Sequence, residues 1–157
     1  MRARVVHLCD DTTAGGVMRV LDHIVTNPAM AVEADHILHT VDRNSLSLGA
    51  IEADVIVSHL AISWRGLPML AILRAQHPRI PLVHVEHSYT QGFVVENVRN
   101  PRRFACLLRL AYRLFDRVVA VSHAQGRWLC DSGAVPAVKC VVIQSCVDLA
   151  EFRAIAP

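Results

Sequence analysis

The stretch Ile80-Pro81-Leu82-Val83-His84-Val85-Glu86-His87-Ser88-Tyr89 decides the fold class. A Leu- and Val-rich run that starts at a proline and ends in the polar loop Ser-Tyr-Thr-Gln-Gly fits a short strand inside a parallel sheet. Side chains alternate along a strand, so His84 and His87 point to opposite faces. In open α/β sheets, ligands bind outside the carboxyl ends of the strands. Glu86, His87 and Ser88 stand at that edge.

Working outward, the same grammar repeats. Ala3 to Leu8 is a strand, followed by the glycine-ended loop Cys9 to Gly16. Val17, Val20, Leu21, Ile24 and Val25 then recur at helical spacing until Asn27-Pro28 ends the helix. Further strands are expected over Ala34 to Val41, Asp54 to His59, Arg117 to Ser122 and Lys139 to Ile143. Helices are expected over Leu67 to Gln76, Arg99 to Arg117 and His123 to Ser132, the last stopped by Gly133. Strands alternating with helices predict a doubly wound, mostly parallel, Rossmann-like α/β sheet with helices on both faces.

The 157 residues suffice for one domain with a proper core. A composition 53% hydrophobic and 19% charged is that of a globular chain rather than a disordered one. A net charge of +2 gives no argument for nucleic acid. The five cysteines form no CxxC and no metal-ligand spacing, which predicts reduced, mostly buried thiols in a cytosolic protein. The apolar run after Met1-Arg2-Ala3-Arg4 stops at Asp10, too short for a signal peptide, and no stretch approaches the roughly 20 apolar residues that span a bilayer.

The fifth-strand approach is strongly basic. Arginines 99, 102, 103, 109, 113 and 117 accompany a single acid, Asp116. On a helical wheel Phe104, Leu107, Leu108, Ala111, Leu114 and Phe115 share one side, and the arginines cluster on the other. That pattern describes a solvated surface helix. It also describes a face for anionic headgroups, with Arg102, Arg103, Arg109 and Arg113 as the contacts.

Gly15-Gly16 lets the backbone come close to a ligand just where the next helix presents its free N–H groups and positive dipole end. This is a phosphate-friendly arrangement, although it is neither GxGxxG nor a Walker loop. His7, His59, His87 and His123 stand at or near the carboxyl edge, where imidazoles suit sugar hydroxyls or phosphates. No HExxH pair supports a metal, and a satisfied structural role suits His7 and His84. Asp10-Asp11 could open a phospho-receiver site, but Ser58-His59 and Ser122-His123 occupy the positions of the acceptor Asp and the Lys. No GxSxG elbow supports acyl transfer. The end of the second strand, His39-Thr40-Val41, lacks the acid of a dinucleotide site.

Three pieces resemble the N-terminal domain of retaining glycosyltransferases of family 4, which have the two-domain GT-B fold. They are Gly15-Gly16-Val17-Met18-Arg19 after the first strand, Arg79 to Ser88, and Arg113 to Ser122 continued by Val141-Val142-Ile143 and Val147 to Phe152. The resemblance implies sugar transfer from a nucleotide-sugar donor to a glycan or lipid-linked acceptor, without a cofactor or bound metal. It sets Gly15 and Gly16 near the donor phosphates and His87 near the transferred sugar. Arg19, His59, Glu86, Ser88, Ser122 and His123 would line the acceptor cleft. Met18 stands where the family often has Glu, and Cys146 replaces a turn glycine. On this reading residues 1–146 form the acceptor-side domain and 147–157 begin a linker to a donor domain that the sequence lacks. The chain alone is then expected to be inactive and prone to self-association, cytoplasmic, and peripheral on the inner face of a membrane. The competing expectation is a non-catalytic Rossmann-like module that binds a nucleotide, an anionic lipid or a protein partner.

Overall fold

The computed structural model describes residues 1–144. The expected domain boundary at 146, the linker from 147 and the turn at Cys146 lie outside the described residues. Among the described residues six strands form one all-parallel sheet: β1 (Ala3–Cys9), β2 (Ala34–Thr40), β3 (Val55–Ser58), β4 (Leu82–Glu86), β5 (Arg117–Ala120) and β6 (Cys140–Val142). Their spatial order is β2-β1-β3-β4-β5-β6. The chain leaves β1 toward one edge and, from β3, winds toward the other. The β1/β3 boundary is therefore the topological switch point, where open α/β sheets leave a crevice at their carboxyl edge.

The α-helices that connect these strands are α1 (Gly16–Thr26), α2 (Pro28–Glu33), α3 (Leu67–Gln76), α4 (Gln91–Asn97), α5 (Pro101–Arg113) and α6 (His123–Asp131). Asn27 ends α1 as expected, but its side chain also caps the next helix, accepting from Ala29 N at 2.8 Å. The chain thus turns straight into α2, which apolar spacing alone does not announce. A second unexpected helix, α4, follows β4, because Thr90 Oγ1 accepts from Phe93 N at 3.2 Å and caps what reads as a plain polar loop.

Right-handed crossovers put α1 on one face and α3, α5 and α6 on the other. The second face holds the main core: Val6, Leu8, Ile56, Leu82, Val118 and Ala120 meet Leu70 and Leu73 of α3, Leu107, Leu108 and Ala111 of α5, and Leu129 of α6. The basic helix buries the stripe its spacing predicts, with Tyr112 added, while Phe104 and Leu114 are only half-buried. The first face is thinner. Val5, Val55, Val57, Val83 and Val85 along it are half-buried.

At the amino edge, Asp116 joins β4 to β5. Its carboxylate accepts from Leu82 N at 2.8 Å and from Arg74 at 2.6 Å, and its own N–H donates to Leu82 O at 2.8 Å. Arg74 Nε also donates to Leu114 O at 2.8 Å. Among the described residues Cys9 is buried, Cys130 and Cys140 are half-buried and Cys106 is exposed, which corrects the expectation of mostly buried cysteines. Among the described residues no helix is long and apolar enough to cross a membrane.

Candidate functional site

Four connections meet over the switch point. The loop after β1 brings Asp10, Asp11 and Thr13 to the start of α1; residues 59–61 follow β3, residues 85–88 end β4, and Arg43 reaches across from beyond β2. Together they line a recess of about 210 Å³. Gly15, Gly16, His59, Glu86, His87 and Ser88, all expected at a ligand site, border it.

The glycine loop works without positive φ. Gly15 is extended (φ −166°) and caps α1 with no side chain, and the first turn of α1 carries no acid. The leading N–H groups of the helix therefore keep their donor capacity toward the recess. A Cβ at Gly16 would meet nothing within 4 Å, so the chain leaves that space open. Beside it, Arg43 pairs with Asp10 at 2.8 Å and Asp11 at 3.4 Å. Asp11 also accepts from the Thr13 hydroxyl at 2.6 Å and from Thr13 N at 3.0 Å. These bonds, more than the guanidinium, hold its carboxyl below the usual range.

His87 does not stand alone. Its Nε2 meets His59 Nδ1 at 2.9 Å, His59 Nε2 meets His7 Nδ1 at 3.0 Å, and His7 Nε2 meets His36 Nδ1 at 3.0 Å. The register explains the alignment. His7 pairs with Leu38 on β2 and with Val57 on β3, and Val57 pairs with Val83 on β4. Each histidine, from β2 across to β4, sits two residues further toward the carboxyl edge than the last, on one face. Burial, helped by the neighbouring rings, lowers the pKa of His7 to about 4 and of His59 to about 2; His87 is also lowered, chiefly by burial. These three rings are neutral at pH 7. His7 lies inside β1 rather than at its end, and His36 is the member that strand patterning does not reveal.

The opposite face of β4 is closed off. His84, fully buried, lies against Phe115 and Tyr112, with Ser58 Oγ at 3.5 Å and Glu86 Oε2 at 3.4 Å. This bears out a structural role for His84. Glu86 borders the recess, but its carboxylate turns inward. Oε1 accepts from Ser88 N at 2.8 Å and Tyr89 N at 2.9 Å, and Oε2 accepts from the Tyr112 hydroxyl at 2.6 Å. Burial pushes this carboxyl up, and the bonds from His84, Tyr112 and Tyr89 outweigh it, leaving its pKa lowered. Burial and the Glu86 charge push the Tyr112 hydroxyl well above the usual tyrosine range. Glu86 thus shapes the loop that carries His87 rather than offering a free carboxylate.

Three expected contacts sit elsewhere. Ser122 spends its hydroxyl capping α6, accepting from Gln125 N at 3.2 Å, and the exposed His123 begins that helix; neither borders the recess. Arg19 does not border the recess itself but lines an adjoining groove along α1, which shares Gly15, Gly16 and Met18 with the recess and runs on to Asp22 and His23. On α5, Arg102, Arg103 and Arg113 are exposed. Arg103 lies over the Trp64 ring at 5.5 Å. Arg109, expected to meet anions, instead donates to the carbonyls of Ser132 at 2.9 Å and Gly133 at 3.1 Å and so closes the end of α6. Among the described residues no group of three or more His, Cys, Asp or Glu is placed to hold a metal ion, because the histidines align ring to ring instead of converging.

A parallel α/β sheet with an uncapped glycine-led helix and a neutral histidine at its switch point defines a class of domain that takes ligands over its carboxyl edge. The family model for Glycosyltransferase Family 4 matches residues 5–151, and the chain belongs to this family. Comparison with curated proteins finds no match.

Proposed function

We propose that this domain is the acceptor side of a retaining glycosyltransferase of GT-B architecture, moving a sugar from a nucleotide-sugar donor to a glycan or lipid-linked acceptor. One observation carries the reading: the open start of α1 and the neutral ring of His87 border a single recess at the switch point. The N–H groups around Gly15 and Gly16 suit a diphosphate, which a capping carboxylate would repel. His87 suits a sugar hydroxyl, since a neutral imidazole can donate at one nitrogen and accept at the other. Ser88, exposed at the rim, adds a hydroxyl for the acceptor. In the transfer, the bond from the anomeric carbon to the diphosphate oxygen breaks, the acceptor oxygen bonds on the same side of the sugar, and the acceptor proton departs.

The grip on the nucleotide belongs to a donor domain outside these residues, so the 157-residue chain alone transfers no sugar. The test is a titration of the ¹⁵N-labelled chain with a panel of nucleoside-diphosphate sugars, beside turnover assays. Amide shifts centred on Gly15, Gly16 and His87, without turnover, are the expected result. Shifts confined to other surfaces would sink the site, and turnover by the chain alone would sink the half-enzyme reading.

The same reading sets α5 against an anionic membrane on its cytoplasmic side. The exposed Arg102, Arg103 and Arg113 support it, Arg103 with Trp64 beneath it. Flotation with liposomes should require anionic lipid and weaken in Arg102→Glu/Arg113→Glu; equal recovery on neutral liposomes removes the membrane contact.

A further inference from the structure

The imidazole line ending at His87 has properties that a single site histidine lacks. Its three contacts, 2.9 to 3.0 Å long, are hydrogen-bond distances. A neutral imidazole has one N–H and one lone pair, and each nitrogen-to-nitrogen contact takes a single proton. With all rings neutral, only two arrangements satisfy every contact. Either each ring carries its proton on Nδ1 and donates toward His87, or each carries it on Nε2 and donates toward His36. A mixed chain leaves one contact with two lone pairs facing each other or with two protons.

The interior of the line is buried: His7 is 4% exposed and His59, although it borders the recess, 9%. Both ends are open. Nε2 of the half-buried His36 and Nδ1 of the half-buried His87 have no hydrogen-bond partner among the described residues. Yet no buried side-chain nitrogen or oxygen there lacks one, so both atoms reach solvent. A purely structural histidine cluster has no need of two open ends.

We propose that His36, His7, His59 and His87 form a proton relay across the sheet, connecting the ligand recess with solvent beside β2. Starting with every proton on Nε2, a proton taken up from a ligand hydroxyl at His87 Nδ1 passes the Nε2 proton of His87 to His59 Nδ1. His59 hands its own on to His7 Nδ1, and His7 hands its own to His36 Nδ1. The Nε2 proton of His36 leaves to water. One proton enters, one leaves, and every ring ends as the Nδ1 tautomer; the reverse sequence supplies a proton to the recess. His36, His7 and His59 are positioning residues, because they fix whether His87 presents a donor or an acceptor. Using the relay for an acceptor proton rests on the transfer reading above, but the relay itself does not.

The test is long-range ¹H–¹⁵N NMR of the histidine-labelled 157-residue chain at neutral pH. It reads the tautomer of each ring without ligand or turnover, so its failure is separable from failure of the transfer assignment. Matching tautomer fractions at His7, His59 and His87 are expected. In His36→Phe, which keeps a ring but removes both nitrogens, the fraction at His87 should shift although two rings intervene. Opposite tautomers on His7 and His59, or an unchanged His87 in a folded His36→Phe protein, would overturn the relay. If that variant fails to fold, the wild-type fractions decide alone.

Discussion

His84 and His87 lie three residues apart on one strand and its end, and their surroundings could hardly differ more. His84 faces the thick side of the sheet, between Phe115, Tyr112 and the carboxylate of Glu86. His87 faces the thin side, where its inward neighbour is another imidazole and its outward nitrogen has no partner among the described residues. Two aromatic rings immobilise the first ring, and the Glu86 carboxylate and the Ser58 hydroxyl take up its polar atoms. A neutral ring leaves the second free to donate or accept. The face of the strand, rather than the residue type, divides a structural histidine from a site histidine.

The largest expected effect comes from removing the acid on the thick side. Glu86→Ala leaves Ser88 N, Tyr89 N and the Tyr112 hydroxyl without their acceptor. It should cost about 3 to 5 kcal/mol in urea denaturation; a loss under about 1 kcal/mol would erase the distinction between the faces.

Acid should strike the thin side first. The folded pKa values of His7 and His59, about 4 and about 2, lie below the ordinary 6.5. Below pH 6.5 the unfolded chain therefore binds protons that the folded one refuses. Stability is full above that pH and falls as pH drops toward 4, on the order of 2 kcal/mol per ring by pH 5. Glu86, with its lowered pKa, adds its loss only as pH falls further, through its folded value. A urea midpoint that holds level from pH 7 to 5 contradicts this.

Next comes the direct pair. His84→Ala opens a cavity against two aromatic rings and should cost about 2 to 3 kcal/mol. His87→Ala, at a half-buried position, should cost under about 1 kcal/mol while abolishing the nucleotide-sugar shifts around the recess. Equal stability losses would place both rings in the core.

The smallest effect on folding is expected at Gly16→Ala, where the new methyl meets only open space. Stability should stay within about 0.5 kcal/mol of the parent, yet nucleotide-sugar affinity should drop if backbone approach is what that space serves. Undiminished affinity would remove Gly16 from the site.

All six strands were legible because each is a short β-branched or apolar run punctuated by Pro, Gly or polar residues. The helices α2 and α4 were not. Each is two turns or less, and their caps, Asn27 and Thr90, read equally well as loop residues. Tyr112 sits at the margin of the α5 stripe, and its partner Glu86 is far away in sequence. Of the site residues expected from the glycine loop and the carboxyl edge, Gly15, Gly16, His59, Glu86, His87 and Ser88 border the recess. Ser122, which stands where an N-cap stands, and His123 after it do not border the recess. The imidazole line required strand order and the two-residue climb per strand, which depend on inter-strand register. No local pattern encodes them, so His36 looked like any other strand residue.

Asp116 gives the sheet a mechanical asymmetry. One carboxylate, with Arg74, fastens β4 to β5 at the amino edge, while the loops that carry the recess leave from the opposite edge. A plate clamped along one margin bends at the other. Widening of the recess to admit a ligand would concentrate in the segments after β1, β3 and β4, and would hinge the carboxyl ends of the strands without disturbing their roots.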